Sequence, residues 1–258
     1  MRGKSEDQSV GAPMRRNVAS APFQPQGASS LGSLLLVSLR LRALGALLSI
    51  LVVSSACSSG GDRAAPDGEH ACSSRFATSV ESFTAGPGPT FGQADLPQVV
   101  LGPPKGAGAV NGSLDVVTLG NGGSITLGFS PSSIVDGPGP DFIVFENPFY
   151  VNGNPDVPFA ELASVEVSED GEHFQGFPCT ATQAPFDGCA GFHPVYANPD
   201  SNAIDATDPA VAGGDAFDLA ELGMSGARYV RITDRADLTG MNGTFDLDAV
   251  SIVNADCP

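Results

Sequence analysis

The hydrophobic positions of this chain fall into two regimes. From Leu44 to Val53 they run together almost without a break, as "LGALLSILVV". From Val80 to Val253 they come in short bursts, many alternating with polar residues, and Gly, Pro, Asn or Asp closes each burst. Alternation at period two marks a half-buried strand, and turn residues at such spacing leave little room for helices of ordinary length. The bursts "SVESFT" (79–84), "PQVVLG" (97–102), "LDVVTL" (114–119), "SITLGF" (124–129), "DFIVFE" (141–146), "SVEVSE" (164–169), "HFQGF" (173–177), "RYVRIT" (228–233) and "FDLDAVSIV" (245–253) therefore read as strands. Together they predict an all-β fold, an antiparallel β-sandwich or barrel. One short helix is expected in "DAFDLAELGM" (215–224), where Phe217, Leu219 and Leu222 share a face. "GNGGS" (120–124) and "EDG" (169–171) read as hairpin turns, and two "GPGP" tetrads, at 86–89 and 137–140, as reused turn chemistry.

Composition changes this picture in one direction. With 32 Gly and 21 Pro in 258 residues the chain suits many turns, and a net charge of −17 with 12 Lys and Arg argues against a nucleic-acid partner, whose phosphates need clustered cations. The N-terminal part differs in kind. Residues 1–30 mix charges, Pro, Gln and Ser without period and are expected to be disordered. Arg40 and Arg42 then flank the continuous apolar run, which is short for a bilayer span, and Ser54, Ser55 and Ala56 precede Cys57.

That order resembles a bacterial lipoprotein signal peptide, which implies that Cys57 becomes the lipidated first residue of the mature chain. Ser54 stands where such signals usually carry Leu or Val. An ordinary cleaved signal is the alternative, and the depth of the signal suggests a translation start at Met14 or at Val37. The expected layout is a disordered N-terminus plus signal over 1–57, a Ser- and Gly-rich tether over 58–77, and a single β-sandwich domain over 78–258. Four cysteines then remain, and an even number in an oxidising compartment favours disulfides. Cys179 and Cys189 flank "TATQAPFDG", which can turn back on itself, so these two are paired; Cys72 and Cys257 are left to join the ends of the domain. Zinc is disfavoured, because no C-x-x-C occurs and His70, His173 and His193 are scattered.

The segment "SVEVSEDGEHF" (164–174) resembles a hairpin of galactose-binding-like domains, the superfamily of discoidin and many carbohydrate-binding modules. "GARYVRITD" (226–234) is similar to the late core strand of that superfamily and "FDLDAVSIV" to its closing strand. The resemblance covers Ser79 to Val253. It implies a jelly-roll sandwich of two sheets, often with a structural calcium ion. The whole chain also resembles bacterial surface lipoproteins, a likeness that brings no activity with it.

The acidic residues carry the candidate chemistry. In "IVDGPGPDFIVFEN" (134–147) the stiff Gly-Pro turn presents Asp136 and Asp141, while Glu146 and Asn147 end the following strand about 16–20 Å away at about 3.3 Å per residue, a second group. Alternation along "FDLDAVSIV" places Asp248 with Val250 and Ile252, so it needs a cation or several donors; a salt bridge from Arg228 or Arg231 is the competing arrangement. Hard oxygen ligands suit Ca²⁺, and the candidate ligands are Asp136, Asp141, Asp215, Asp246 and Asp248. Asp215 alone is better read as a helix cap. The loop "ANPDSNAIDATDPAVAGGD" (197–215) is either a binding loop or one fixed by its own Asx turns.

No nucleophile elbow, zincin helix or phosphate loop occurs, so a non-catalytic protein is expected. The leading expectation is an exported, lipid-anchored surface protein, touching the membrane through its lipid alone, with a calcium-stabilised domain that binds a glycan or other surface ligand. There is no Trp to stack on a sugar, which leaves Tyr150 and Tyr196, with Asn198 and Asp200 of the long loop, as ligand-binding candidates. A structural or adhesive protein contacting other proteins is the alternative, and a glycoside-active enzyme a more distant one.

Overall fold

Long strands, two of them alternating buried and half-buried residues, build the larger of two facing layers. In the computed structural model the described residues are 72, 74–238 and 243–258. The signal segment, Cys57, His70, the candidate start sites and most of the tether lie outside the described residues. Strands β1 (Ser79–Thr84), β2 (Val117–Thr118), β3 (Ser124–Gly128), β4 (Ser133–Val135), β5 (Phe142–Phe145), β6 (Phe149–Tyr150), β7 (Pro158–Phe159) and β8 (Ala163–Ser168) come first. They are followed by β9 (Gln175–Gly176), β10 (Cys189–Ala190), β11 (Asp215–Phe217), β12 (Gly226–Ala227), β13 (Tyr229–Asp234), β14 (Asp246–Leu247), β15 (Ala249–Ile252) and β16 (Ala255–Asp256). The first sheet runs β1-β3-β13-β8-β10, with β9 also on β8. The second layer holds β11-β5-β15; the last segment of the chain also pairs β14 with β2 and β16 with β4, which β12 borders on its other side. Every pairing is antiparallel. The fold is an all-β antiparallel sandwich.

Its core forms where inward-facing residues of both layers meet. Ile125, Leu127, Val165, Val167, Val230 and Ile232 of the first sheet pack against Phe142, Val144, Val250 and Ile252 of the second. The Phe142 ring stacks on Phe217 at 5.2 Å and meets Phe177 at 5.8 Å. On the outer side of the first sheet Arg231 sits opposite Glu166, with Nε 2.7 Å from the carboxylate, and its guanidinium lies 3.9 Å over the Phe174 ring. Both faces of β5 and β15 are buried, which explains why "FIVF" and "AVSI" lack polar alternation. Ile143, Phe145 and Ala249 turn outward, where Val195, Ala197, Ala206 and Ala212 of the long loop cover them.

The structure corrects several local expectations. "PQVVLG" is no strand but a 3-10 turn at Gln98–Val100: Pro97 lacks an N–H, and Pro103 and Pro104 follow directly, so a ladder would be starved of donors. The expected helix at 215–224 is a strand, Asp215–Phe217, and one 3-10 turn, Leu219–Leu222; the cap is Asp218, which accepts the Ala220 N–H, and not Asp215. "GNGGS" makes a turn, Gly123 N–H to the Gly120 carbonyl at 2.8 Å, but it joins strands of different sheets rather than a hairpin. "EDG" does join a hairpin, β8 to β9, with Ser168 buried beneath the turn and its Oγ accepting the Gly171 N–H.

Both disulfides pair as the spacing suggested, Cys179 with Cys189 and Cys72 with Cys257. The second links positions 185 residues apart, tying the start of the domain to its end. Because Phe142 is fully buried at the contact of three rings, Phe142→Ala should destabilise the domain by about 3–5 kcal/mol, read as a lowered midpoint in urea unfolding with unchanged slope.

Candidate functional site

A cleft of about 700 Å³ opens between the segment 105–115 and the start of the long loop. Close backbone approach sets its floor: Gly106 and Gly108 donate to the carbonyls of Ala197 and Val195, and a Cβ on Gly106 would stand 2.4 Å from the Val195 carbonyl oxygen. Tyr196, 40% exposed, lines the cleft together with Asn198, Asn202, Lys105, Asp115 and Leu114. The Asn198 amide donates to the Gly106 carbonyl and the Asn202 amide to the Tyr196 carbonyl, so these side chains fasten the rim. Lys105 Nζ sits 3.3 Å from Asp115 and 3.6 Å from Asp200, and these carboxylates, Asp115 foremost, hold the ammonium above its ordinary range. Tyr150 is tethered by its N–H to the Ala109 carbonyl; partial burial, and then the nearby Tyr196 phenol, raise its own phenol. Of the expected ligand-binding residues, Tyr196 and Asn198 line this cleft; Asp200 reaches its rim through Lys105 and lines a neighbouring cavity, and Tyr150, at the end of β6, is not part of the lining. Beyond it the long loop is fixed by Asx turns at Asn202, Asp205 and Asp208.

The five expected metal ligands do not form one site. Oxygens of Asp136, Asp141 and Asp218 converge within 4.8 Å of one another. Asp141 is fully buried, however, and its donors are already supplied: Oδ1 accepts the Gly137 N–H and the Asn254 amide, both at 2.8 Å, and Oδ2 accepts the Leu219 N–H at 2.8 Å. Asp215 lies on β11, where Oδ2 accepts the N–H groups of Gly191 and Phe192 at 2.7 and 3.0 Å. Asp248 is buried and takes the Lys105 N–H on both oxygens, at 3.1 and 3.0 Å. Neither arginine proposed for it is its partner, since Arg231 pairs with Glu166. The expected register also fails here. Leu247, Val250 and Ile252 all face the main core while Ala249 faces the outer cluster, so the alternation breaks at Asp248 and turns it away from Val250 and Ile252. Burial pushes the Asp248 carboxyl up to about 8, against the Lys105 N–H, which draws it down.

Asp246 belongs to a different group, at the ends of β5 and β13. Its Oδ1 accepts the Thr118 hydroxyl at 2.5 Å and its Oδ2 a long 3.4 Å contact from the Asn147 amide, while burial raises its carboxyl. Beside it stand Glu146 and Glu161. Burial, then the neighbouring negative charges, lift Glu146 well above the usual carboxylate range and Glu161 to about 8. Asp234, close by, is satisfied by the N–H groups of Phe245 and Gly122 at 2.8 and 2.9 Å.

Sequence reasoning missed His193. Its Nδ1 meets the buried Asp215 at 2.7 Å at the edge of a 320 Å³ pocket shared with Asp187 and Glu221, and that hydrogen bond raises the imidazole above its ordinary value. The thiol lining this pocket, Cys189, is closed in the disulfide with Cys179. No sequence signal joined these residues, because β11 lies far along the chain from Gly191–His193 and the spacing follows no motif.

No protein-family model matches the chain, and no curated protein matches it in sequence. Among solved structures it is similar to the C-terminal domain of a chitobiase from Bacteroides fragilis, at 13% identity and a TM-score of 0.26 over 50% of this chain and 61% of that one. It is also similar to a structure described as a glycoside hydrolase, at 14% identity and a TM-score of 0.27 over 74% of this chain and 33% of that one. The chain spans less than two thirds of either, and likeness of this degree carries no functional argument.

The buried Asp248 gives a pH dependence with a definite direction. With a folded pKa of about 8 and an unfolded value near 3.9, its contribution to stability is complete below about pH 4 and disappears as pH rises through about 8. Asp248→Asn should therefore make the loss of stability between pH 4 and 8 shallower, by up to about 1.4 kcal/mol per pH unit, in urea melts across that range.

Proposed function

We propose that this protein is a non-catalytic binding module, exported and held at the cell envelope by a lipid on Cys57, whose cleft takes a polyhydroxylated ligand such as a surface glycan. The observation that carries this reading is the cleft beside Tyr196: an exposed aromatic face ringed by the Asn198 and Asn202 amides and the Lys105–Asp115–Asp200 charges. A sugar presents one apolar face and a rim of hydroxyls. An aromatic side chain covers the former, and the half-exposed charges of Lys105 and Asp115 exchange hydrogen bonds with the latter, while the Asn198 and Asn202 amides hold the rim in shape. The Asp115 and Asp200 carboxylates are both engaged by Lys105, which supports a holding role over acid–base chemistry. The two disulfides fit an oxidising compartment outside the cytoplasm, and no helix among the described residues is long and apolar enough to cross a membrane. The lipid anchor rests on the residues around Cys57 alone.

Glycan-array screening of the processed protein tests this reading. Binding should appear on specific glycans and weaken about tenfold or more in Tyr196→Ala, a loss of about 1.4 kcal/mol. An array that stays silent at high protein concentration would instead support a structural or adhesive protein whose partners are other proteins.

A further inference from the structure

Two cavities of this domain share one wall. The cleft beside Tyr196 and a second cavity of about 530 Å³ are both lined by Lys105, Leu114 and Asp115. Beyond that wall the second cavity is lined by Phe91, Val99, Leu101 and Pro103, with Asp95 and Asp200. Lys105 spans the boundary: its ammonium pairs with Asp115, common to both cavities, and with Asp200 of the second. Large apolar side chains left in water gather along the same line. Phe91 is 50% exposed, Leu114 80% and Tyr196 40%, which is three of the six such side chains among the described residues. Single exposed apolar residues are ordinary, but three on adjoining hollows mark a surface that is covered in use.

Phe91 is mounted firmly. Its carbonyl accepts the Thr118 N–H of β2 at 3.0 Å, and the neighbouring Gln93 amide donates to the Thr118 carbonyl at 3.0 Å. Gly92, with φ 71°, lies so close to the Val116 carbonyl that a side chain there would collide with it. The saddle between the cavities has its own anchor, because the Lys105 N–H is held by the buried Asp248. The order along the surface is therefore ring, charged saddle, ring, with each part fixed to the sandwich.

We propose that the two cavities are halves of one groove whose occupant is an extended neutral polysaccharide chain, and that Phe91 is a second stacking platform in addition to Tyr196. This rests on the glycan reading of the cleft and adds to it the length and charge of the ligand. Each cavity falls within the range of about 300–1,000 Å³ usual for a small-molecule site, so the cleft alone holds a short sugar and the pair takes a longer one. A chain of linked sugars repeats apolar faces separated by hydroxyl-bearing edges, which suits two rings with charges between them. The charge follows from the lining. Lys105 is the one basic group among the described residues of the two cavities, set against Asp95, Asp115 and Asp200. An anionic polymer meets like charge there and is turned away. Two of the three carboxylates are already engaged by Lys105, which leaves no free cluster to draw a polycation.

The test is titration calorimetry of the full processed chain with linear gluco-, xylo- and manno-oligosaccharides of increasing length, and with oligogalacturonates as the anionic probe. Affinity for a neutral series should climb about tenfold or more as the oligomer grows to span both cavities, and then level off. Phe91→Ala should abolish the climb while the shortest oligomers stay within about twofold of wild type, and Tyr196→Ala should weaken every length. Phe91→Tyr, which keeps the ring, should retain the climb, and this separates stacking from a loss of structure. Oligogalacturonates should bind about tenfold more weakly than neutral chains of equal length. Affinity that is flat with length, or a climb that survives Phe91→Ala, would overturn the groove and leave the cleft reading standing, provided Tyr196→Ala still weakens binding. Tighter binding of oligogalacturonates would overturn the neutral assignment. A wild-type chain that binds none of these oligomers would overturn the inference, and a silent glycan array beside it would take the glycan reading down as well.

Discussion

A carboxylate removed from water must find donors or positive charge, and this domain is organised around that requirement. Asp141 shows it most clearly. It is fully buried where the turn of 137–140 meets β5, and it gathers N–H groups from that turn, from the 3-10 turn at Leu219–Leu222 and from the Asn254 side chain. Its own carbonyl accepts the N–H groups of Val253 and Asn254. One residue thereby fixes the mutual position of three chain segments far apart in sequence. Charge-assisted hydrogen bonds of this kind are about twice as strong as neutral ones, and each is lost together with the others if the carboxylate moves.

The same requirement organises the periphery. Asp215 joins β11 to Gly191, Phe192 and His193, and Asp234 joins the end of β13 to Gly122 and Phe245. Asp248 joins the C-terminal strands to the segment that opens the cleft through the Lys105 N–H. These contacts let a sandwich with short strands, several of only two residues, hold long connecting segments in place. The covering of β5 and β15 by the loop 195–212 completes the arrangement, because it makes that loop part of the core rather than an appendage. The cleft residues at its start are therefore mounted on a rigid base, which is where binding side chains are most precisely held.

Glu146 stands out because it breaks the rule its neighbours follow. Backbone donors reach four buried aspartates, whereas neither carboxylate oxygen of Glu146 has a hydrogen-bond partner, and burial lifts its carboxyl well above the usual range. Asn147, the next residue, donates its amide to the Ser113 carbonyl, and Ser113 lines the cleft, so the end of β5 also fastens the cleft wall.

Much of this was legible in the sequence. Period-two alternation identified β8 and β13, since burial on one face imposes it, and the all-β class followed from these and the other short apolar bursts. The cysteine spacing sufficed for both disulfides, because a short loop that can fold back leaves one remaining pair. The turn that presents Asp136 and Asp141 was visible in its Gly-Pro chemistry, whereas Tyr150, expected in a loop, ends strand β6. What the sequence could not decide was where each carboxylate finds its partner. Those partners are backbone N–H groups up to 143 residues distant, and a backbone donor leaves no trace in residue identity. The break of register at Asp248, the pairing of His193 with Asp215 and the isolation of Glu146 all arise from packing between segments that local pattern treats separately. Strand content follows from neighbours in the chain; the electrostatic fate of a buried acid follows from neighbours in space, and only the tertiary structure brings those together.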